Sequence, residues 1–445
     1  MISNLPQQVS CSMVLAAALG ELFPDAKVLS MQATEKCFFC DIAFPFTFED
    51  EMLPLLEERM RRWIKKNLPF QQLEMLPSNA VKFFEHHGNS HAAFFAQRET
   101  GLVRILQLDR FVGKSPGKSL ASTGLVKFFK LVQAEVYGSW IRILGVSASS
   151  KQDLKSPRLP SSHLKLVQEL SLLTPSLDGW IWLPRGEILK KVLIERVCQD
   201  FSGIDPISTS ALSDKELVLC HARYLEKTKR GSIEFLKRPL DGEGRELLDP
   251  AVGTVDRLFL PFQEESIISF LQIITKFLKI FAFEHEEVNP VKRGLKKPHE
   301  IELIDALGRS WKGPSLWLEE KTKMVGLSLF HSLERFIALL VEKTEGRLPF
   351  WLQPEQVRIL SMQDGYAREV KQALERAGFR VGLDVEKSTL AGRMRRSLQE
   401  RVPFSIVIGD REKMTGQLTV RTQESPESLT MDLETLMNRL KQFES

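Results

Sequence analysis

The carboxyl-terminal quarter of the chain alternates between strand-like and helix-like patterns, and this alternation most constrains the fold. Strands separated by helices are typical of a small α/β domain with a mostly parallel sheet. The apolar, β-branched run at residues 404–408 is what a strand covered on both faces requires. The pattern predicts strands over residues 356–362, 379–384, 404–409 and 416–421, an amphipathic helix over 366–377 and a basic helix over 389–401.

Several stretches of this region match a known family closely and in the same order. They are PFWLQPEQV, the helix that carries Arg393, Arg395 and Arg396, and VPFSIVIGDRE followed by GQLTVR. Together they resemble the anticodon-binding domain of the threonyl-tRNA synthetases, which are class II aminoacyl-tRNA synthetases. Upstream, AAALGELFPDAKV and STGLVKFFKLVQAEVYGSW resemble that family's editing domain, and DALGRSWKG and SLERF resemble the end of its catalytic core.

The resemblance implies a multidomain protein that mixes α+β and α/β architecture. We predict a degenerate editing-like α+β domain over residues 1–155 and a truncated class II synthetase-like core, built on an antiparallel sheet, over 156–348. An α/β anticodon-binding-type domain over 349–445 completes the prediction. In the first domain, hydrophobic periodicity predicts an apolar helix over 14–22 and an amphipathic helix over 48–67.

Composition places few limits on function. The chain has 445 residues, 43% of them hydrophobic and 27% charged, which is typical of a globular protein. Its formal charge of +4 permits a local nucleic-acid patch without demanding one. No apolar stretch is long enough to span a membrane, so we expect no membrane partner. We expect no DNA partner either.

The cysteines point to a reducing compartment. Five cysteines form an odd, sparse set, which is no disulfide framework and predicts a cytoplasmic protein. Cys37 and Cys40 have C-x-x-C spacing, which could serve metal or redox chemistry. No second pair lies at finger spacing, and Phe38 and Phe39 between them are typical of a strand core, so we favour the structural interpretation.

The editing chemistry that the resemblance implies is missing. The family uses an H-x-x-x-H pair on its first helix and a later C-x-x-x-H. Matched through LFPDAKV and STG, those four positions hold Val9, Met13, Ser115 and Ser119. Because valine and methionine cannot carry a proton at neutral pH, we predict an intact fold with an inactive editing site.

The zinc site of the family's core is missing in the same way. The resemblance implies a zinc with three protein ligands and one open position for substrate. The first ligand segment has no counterpart, although Cys220 and His221 lie nearby. The other two ligand positions hold Phe259 and Gly326, so we expect no metal.

Only fragments of the ATP site remain. The family's motif 2 uses an arginine followed closely by a glutamate, and its motif 3 ends in Gly-x-x-Glu-Arg. Arg238 and Arg335 are the vestigial candidates, but no glutamate follows Arg238 at that spacing, and His331 replaces the motif 3 glycine. The alternative for Arg335 is a structural arginine paired with Glu334 or another acid.

The anticodon-binding domain kept more of its chemistry. Its base-reading positions match Arg395, Glu412 and Arg421, with Lys387 and Thr389 as changed types. Carboxylates accept hydrogen bonds from base edges, and arginines bind base edges or phosphate. The alternative is that the basic helix is a solvated face. We predict an RNA-binding surface made of Lys387, Arg393, Arg395, Arg396, Arg401, Glu412 and Arg421.

These observations favour a threonyl-tRNA synthetase-like protein that has lost aminoacylation and editing and binds tRNA, with a threonine tRNA as the first candidate, as a regulator or partner protein. We expect a homodimer, or a heterodimer with a full synthetase, and no cofactor. One alternative is a divergent aminoacyl-tRNA ligase or amino-acid-activating enzyme, which would use ATP and Mg. Another is a purely structural partner protein.

Overall fold

The chain forms two compact units. Met1–Pro160, Pro175–Asp178 and Ile304–Ser310 belong to the first, and Ser161–Thr174, Gly179–Leu303 and Trp311–Ser445 to the second. The three-domain division stays a prediction, because the second unit contains both sides of the expected boundary at residue 348. The computed structural model describes residues 4–45, 48–49, 51–137, 140–150, 152, 154, 162–176, 179–200, 204–208, 213–240, 242, 246–262, 264–281, 299–319, 321–361, 364–386, 388–423 and 427–443.

The first unit contains two antiparallel sheets with their helices, the α+β arrangement expected from the sequence. The four-stranded sheet has the order β1-β2-β7-β6, and the three-stranded sheet has the order β3-β4-β5. The strands are β1 (Lys27–Ala33), β2 (Phe38–Ala43), β3 (Gln71–Met75), β4 (Val103–Leu108), β5 (Phe111–Lys114), β6 (Phe128–Tyr137) and β7 (Trp140–Ala148), and the helices are Leu5–Leu22, Met52–Lys65, Pro77–His86 and Ser90–Ala96.

The helix Leu5–Leu22 begins nine residues earlier than the sequence predicts. Its first half is polar, yet nearly all of it is buried, because the polar side chains bond to the chain around them. The Gln7 side-chain amide donates to the Ala148 carbonyl at 2.9 Å, and the Gln8 side-chain oxygen accepts from the Ser147 N–H at 3.1 Å. Polar residues satisfied in this way hide a buried helix from hydrophobic periodicity.

The second unit is organised around a six-stranded sheet with the order β10-β11-β12-β15-β14-β13. The pairs β11–β12, β12–β15 and β14–β15 are antiparallel, as expected for the core, and the edge strand β10 runs parallel to β11. The strands are β8 (Leu173–Ser176), β9 (Gly179–Trp182), β10 (Ile204–Pro206), β11 (Gly231–Pro239), β12 (Val252–Pro261), β13 (His299–Ile304), β14 (Ser310–Glu319) and β15 (Met324–Ser328), and the helices are His163–Glu169, Pro184–Asp200, Asp214–Thr228, Glu264–Ile280 and Leu333–Lys343.

The carboxyl-terminal sheet of this unit has the order β17-β16-β18-β19-β20. Its first three strands are parallel to one another. β19 is antiparallel to β18, and β20 is antiparallel to β19, so the sheet is mostly parallel, which confirms the predicted α/β fold. A short helix stands where a turn was expected between β18 and β19, and β20 and a final helix follow the last predicted strand. The strands are β16 (Val357–Ser361), β17 (Val381–Asp384), β18 (Phe404–Ile408), β19 (Leu418–Thr422) and β20 (Ser428–Met431), and the helices are Asp364–Arg376, Leu390–Gln399, Asp410–Thr415 and Leu433–Lys441.

Four buried charges join this sheet to the helix Pro184–Asp200. Arg358 bonds to Glu355 through its Nε atom at 2.8 Å and to Glu400 through an Nη atom at 2.5 Å. Arg185 pairs with Glu355 and donates to the Glu400 carbonyl at 3.1 Å. Burial alone would lower the pKa of Arg358, but its bonds to the two carboxylates raise that pKa above its ordinary value. Arg358 therefore stays charged. The four residues are here called the buried ion network.

We expect Arg358→Ala to lower the free energy of unfolding by about 3 kcal/mol, because it leaves buried carboxylates without their main partner. Arg62→Ala is the matched control, since Arg62 pairs with Glu58 on an exposed surface, where ion pairs contribute little. Urea denaturation measures both. Equal effects of the two substitutions would contradict the role of the network.

Candidate nucleic-acid interface

Val9 and Met13 lie on a helix of the first unit, and Ser115 and Ser119 lie on a loop that contacts this helix. Val9 and Met13 lie on the helix Leu5–Leu22 and are fully buried in an apolar cluster. A Cβ atom built on Gly117 would lie 3.4 Å from Val9, and the Leu120 N–H donates to Ser10 at 2.8 Å. The helix and the loop around Gly117 are therefore in contact.

The side chains at these positions serve the fold. The Ser115 hydroxyl donates to the Gly117 carbonyl at 2.7 Å, and the Ser119 hydroxyl donates to the Leu120 carbonyl at 3.0 Å. The neighbouring Cys11 thiol stays protonated, because burial raises its pKa to about 12. Among the described residues, Val9, Met13, Ser115 and Ser119 thus offer no group that takes up a proton near neutral pH.

The cysteines of the C-x-x-C pair do not share a site. Cys37 and Cys40 are both buried, but they belong to different apolar clusters. Burial raises the pKa of both thiols, so both stay protonated at neutral pH. These two residues are parts of the core.

The two lost zinc-ligand positions lie side by side in the six-stranded sheet. Phe259 on β12 pairs with Gly326 on β15, and Gly326 pairs with Trp317 on β14. A Cβ atom built on Gly326 would lie 2.3 Å from Trp317 Cε2, so the indole occupies the space that a side chain at residue 326 would need. Phe259 meets the same indole edge-on, with ring centroids 6.0 Å apart. Aromatic rings therefore fill this part of the core.

His221 is buried beside these rings. Its ring lies 4.6 Å from that of Phe259, its Nδ1 atom lies 2.7 Å from the Ser232 hydroxyl, and its Nε2 atom lies 3.5 Å from Glu234. Burial, together with the charge of Arg257, lowers its pKa to about 4, so the imidazole is neutral at pH 7. In the described part of the chain, no three His, Cys, Asp or Glu residues are placed to hold a metal ion.

The guanidinium of Arg335, one of the two vestigial ATP-site candidates, is engaged in contacts within the protein. Its Nε atom donates to the Leu248 carbonyl at 2.6 Å, and its guanidinium lies 5.2 Å from the Trp311 ring centroid. Glu334 is not its hydrogen-bond partner; that carboxylate accepts from the Thr254 N–H at 2.7 Å and from the Thr254 hydroxyl at 2.9 Å. The second candidate, Arg238, lies on β11 opposite Gly253.

His331 stands in a backbone conformation that favours glycine. Its φ angle is 58°, in the left-handed region. The turn is fixed by the buried carboxylate of Asp256, which accepts from the Leu329 N–H at 2.5 Å and from the Phe330 N–H at 2.9 Å. The imidazole therefore stands, with local strain, where the resemblance implies an open glycine.

The basic helix Leu390–Gln399 does not present all its arginines to solvent, which corrects the prediction for Arg393. That side chain is fully buried and donates to the Ser361 carbonyl at 2.9 Å and to the Asp384 carbonyl at 3.1 Å. It ties the ends of β16 and β17 to the helix and cannot contact phosphate.

Arg401 is also engaged within the second unit. Its guanidinium donates to the Gln399 carbonyl at 2.7 Å and lies 3.4 Å from the Glu169 carboxylate. Arg396 is exposed but paired with Glu386 at 2.8 Å, whereas Arg395 is exposed and has no ion-pair partner within the described ranges. Lys387 lies outside the described residues. Arg395 is therefore the side chain of this helix best placed for phosphate.

Glu412 is held at the end of β18. One carboxylate oxygen accepts from the Gly409 N–H at 2.9 Å, and the other accepts from the Thr419 hydroxyl at 2.8 Å. Partial desolvation raises its pKa, but the bonds from Thr419 and Gly409 outweigh this and hold the pKa below its ordinary value. Glu412 is therefore an ionised acceptor at neutral pH.

Arg421 lies on the same outer face of the sheet. Thr419 and Arg421 are two residues apart on β19 and pair with Thr430 and Ser428 on β20, so all four side chains share one face. Arg421 is exposed, and its Nε atom donates to Ser428 at 2.9 Å. We call Glu412, Thr419, Arg421, Ser428 and Thr430 the outer polar face.

Sequence reasoning missed Thr419 and Ser428 in this face. The available signal for Thr419 was the alternation of residues 418–421, in which the buried residues Leu418 and Val420 alternate with Thr419 and Arg421. Such alternation places every second residue of a strand on one side of the sheet.

Acidification should weaken the fold through His221. The unfolded imidazole takes up a proton below about pH 6.5, whereas the folded one resists until about pH 4. Its contribution is therefore present above pH 6.5 and lost as the pH falls to 4, which amounts to about 3 kcal/mol. We expect the free energy of unfolding of His221→Gln to fall less steeply with decreasing pH than that of the wild type. Urea denaturation from pH 7 to pH 4 measures it.

The control for this experiment is His86→Gln, since His86 is exposed and should leave the pH dependence unchanged. An unchanged slope in His221→Gln would contradict the neutral, buried imidazole.

Three comparisons with known proteins agree with this fold. The family model of anticodon binding domains matches residues 356–443, which include the basic helix and the outer polar face. A solved structure, the RNA-binding domain of threonyl-tRNA synthetase from Cryptosporidium parvum, matches with a TM-score of 0.52 at 17% identity and covers 64% of this chain and 98% of that one. At this identity the match speaks to the fold alone.

Curated relatives match along nearly the whole chain. The threonine--tRNA ligase of Acetivibrio thermocellus is 27% identical over 555 aligned positions, which cover 96% of this chain and 87% of that ligase. The ligase of Clostridium acetobutylicum is 24% identical over 557 positions, with 97% and 87% covered. Each alignment is longer than the 445-residue chain, so it contains gaps where the relative has residues that this chain lacks. Along nearly its whole length the chain is thus similar to threonine--tRNA ligases, and residues 356–443 match an anticodon binding domain of the kind found in class II aminoacyl-tRNA synthetases.

Proposed function

We propose that this protein binds tRNA through its carboxyl-terminal sheet and that it has lost aminoacylation and editing. One observation carries the proposal: the outer polar face keeps an ionised acceptor and an exposed arginine, while Trp317 fills the space at the lost zinc-ligand positions. The protein would then act as a regulator or partner in translation, with a threonine tRNA as the first candidate ligand.

The missing ligands and the internal contacts of the core support the proposal that its catalytic centre is inactive. Threonine selection by zinc needs three ligands, and the positions that would supply two of them are Phe259 and Gly326. The guanidinium of Arg335 is committed to the Leu248 carbonyl and the Trp311 ring, so nucleotide binding would have to displace both. We therefore expect neither zinc nor ATP to bind.

The state of the outer polar face supports RNA recognition. Sequence-specific RNA binding usually reads the edges of unstacked bases in loops. Glu412 supplies acceptors, Arg421 supplies donors, and Arg395 supplies a cation for phosphate. The three side chains are at least partly accessible to solvent, as such recognition requires.

The alternative is a divergent ATP-dependent ligase or amino-acid-activating enzyme, which rests on the retention of Arg238 and Arg335. ATP binding that is lost in Arg335→Ala would favour it over the silent core.

The described residues contain no helix long and apolar enough to cross a membrane. A cytoplasmic location and a homodimer, or a heterodimer with a full synthetase, complete the proposal.

The test is a titration of the full chain with threonine tRNA at two salt concentrations, with an anticodon-swapped tRNA as control. We expect binding that depends on the anticodon and is lost in Arg421→Ala. Glu412→Gln is preferable to Glu412→Ala, because the amide oxygen still accepts from one of the two groups that hold the side chain. If both tRNAs bind equally well and salt abolishes the binding, the protein only attracts phosphate non-specifically, which contradicts recognition of the anticodon.

Arg395→Ala and Arg396→Ala form a matched pair within one helix. Arg395→Ala should weaken tRNA binding and reduce the slope of log K against log salt by about 0.7 to 0.9, as expected for one lost phosphate contact. Arg396→Ala should have the smaller effect, because Glu386 already neutralises that guanidinium. A larger loss in Arg396→Ala would contradict the assignment of the phosphate contact.

A further inference from the structure

We propose that Thr419 sets the base preference of the outer polar face by holding the Glu412 carboxylate in place as an acceptor for two neighbouring N–H groups of guanine. This inference rests on the proposed tRNA binding. Thr419 is a positioning residue in this scheme, because it acts through Glu412 and need not touch the base.

The geometry fixes both oxygens of the carboxylate. Oε2 accepts from the Gly409 N–H at 2.9 Å, and Oε1 accepts from the Thr419 hydroxyl at 2.8 Å. These donors come from opposite sides of the turn, one from the end of β18 and the other from β19. Each oxygen of an ionised carboxylate can accept a second hydrogen bond, so one site per oxygen remains for a ligand. Glu412 is only partly buried, so those sites can be reached from solvent.

Charge and orientation together restrict the ligand. The bonds that hold Glu412 also keep its pKa below the ordinary value, so the group accepts and does not donate. Among the bases, the Watson–Crick edge of guanine offers two adjacent donors, the N1–H and the N2 amino group. Adenine and cytosine offer one amino group there, and uracil offers one N–H between two carbonyls. A carboxylate with one acceptor site left on each oxygen therefore prefers guanine.

Arg421 supplies the matching donors on the same face. Its Nε atom is held by Ser428 at 2.9 Å, which leaves the two Nη groups to donate outward. Guanine carries acceptors at O6 and N7, so an acceptor and a donor side chain on one face complement its edges. Side chains that are already held lose less conformational entropy when a ligand binds, which is the reason that Thr419 should matter for discrimination.

The test uses the full chain and short anticodon hairpin RNAs in which each loop guanine is replaced, one at a time, by inosine, which lacks the N2 amino group. The wild-type protein should prefer guanine at one position by roughly tenfold, as one good base contact allows. Thr419→Val, which keeps the shape and removes the hydroxyl, should reduce that preference to about twofold or less. Thr419→Ser, which keeps the hydroxyl, should retain most of it.

A second readout separates positioning from simple destabilisation. Removing the hydroxyl should raise the pKa of Glu412, measured by NMR titration of its carboxyl group, so the guanine preference of Thr419→Val should fade at a higher pH than that of the wild type. If Thr419→Val prefers guanine over inosine as strongly as the wild type does, or if the pKa of Glu412 is unchanged in it, this inference is overturned. The proposed tRNA binding would still stand. Failure of the wild-type protein to bind any of the hairpins or the intact tRNA would overturn the proposed function and this inference together.

Discussion

The buried ion network of Arg185, Glu355, Arg358 and Glu400 is the interaction on which the carboxyl-terminal half of the structure depends. Glu355 precedes β16 and Glu400 follows the basic helix, so the two carboxylates bracket the start of the α/β sheet. Arg358 satisfies both from inside the sheet, and Arg185 reaches them from the helix Pro184–Asp200. Such charges are stable only when every member is paired, so the network fixes the sheet against that helix. The outer polar face is thus carried by a rigid support.

The proposed loss of editing and aminoacylation chemistry has the same physical basis in each place. Where the resemblance implies a reactive or ligand-binding group, the structure has an apolar side chain, a hydrogen bond to the main chain or an aromatic ring. Val9 and Met13 join the core of the first unit, Trp317 covers Gly326, and the Leu248 carbonyl occupies Arg335. Filling a site in this way keeps the interior closely packed, so under this proposal the fold persists without the chemistry.

Much of the carboxyl-terminal fold could be predicted from the sequence, because its strands are short, β-branched and separated by well-marked helices. The start of the helix Leu5–Leu22 could not, since the hydrogen-bond partners of its buried glutamines lie on β6 and β7, far along the chain. The sequence placed Arg393 in the predicted RNA-binding surface with the other arginines of its helix, but the bonds of its guanidinium to two main-chain carbonyls exist only in the folded sheet. The role of Trp317 was equally hidden, because its contact with Gly326 depends on strand pairing. Residue identity thus indicated at which positions the family's reactive groups are missing, and the structure was needed to locate what fills the space around them.

The most direct test of the central claim is threonine-dependent exchange of pyrophosphate into ATP by the purified protein, with Arg335→Ala prepared in parallel to reveal contaminating synthetase. A core filled by its own side chains predicts no exchange above the level of the variant. Exchange that requires threonine, exceeds that level and disappears in Arg335→Ala would contradict the account and establish an active ligase.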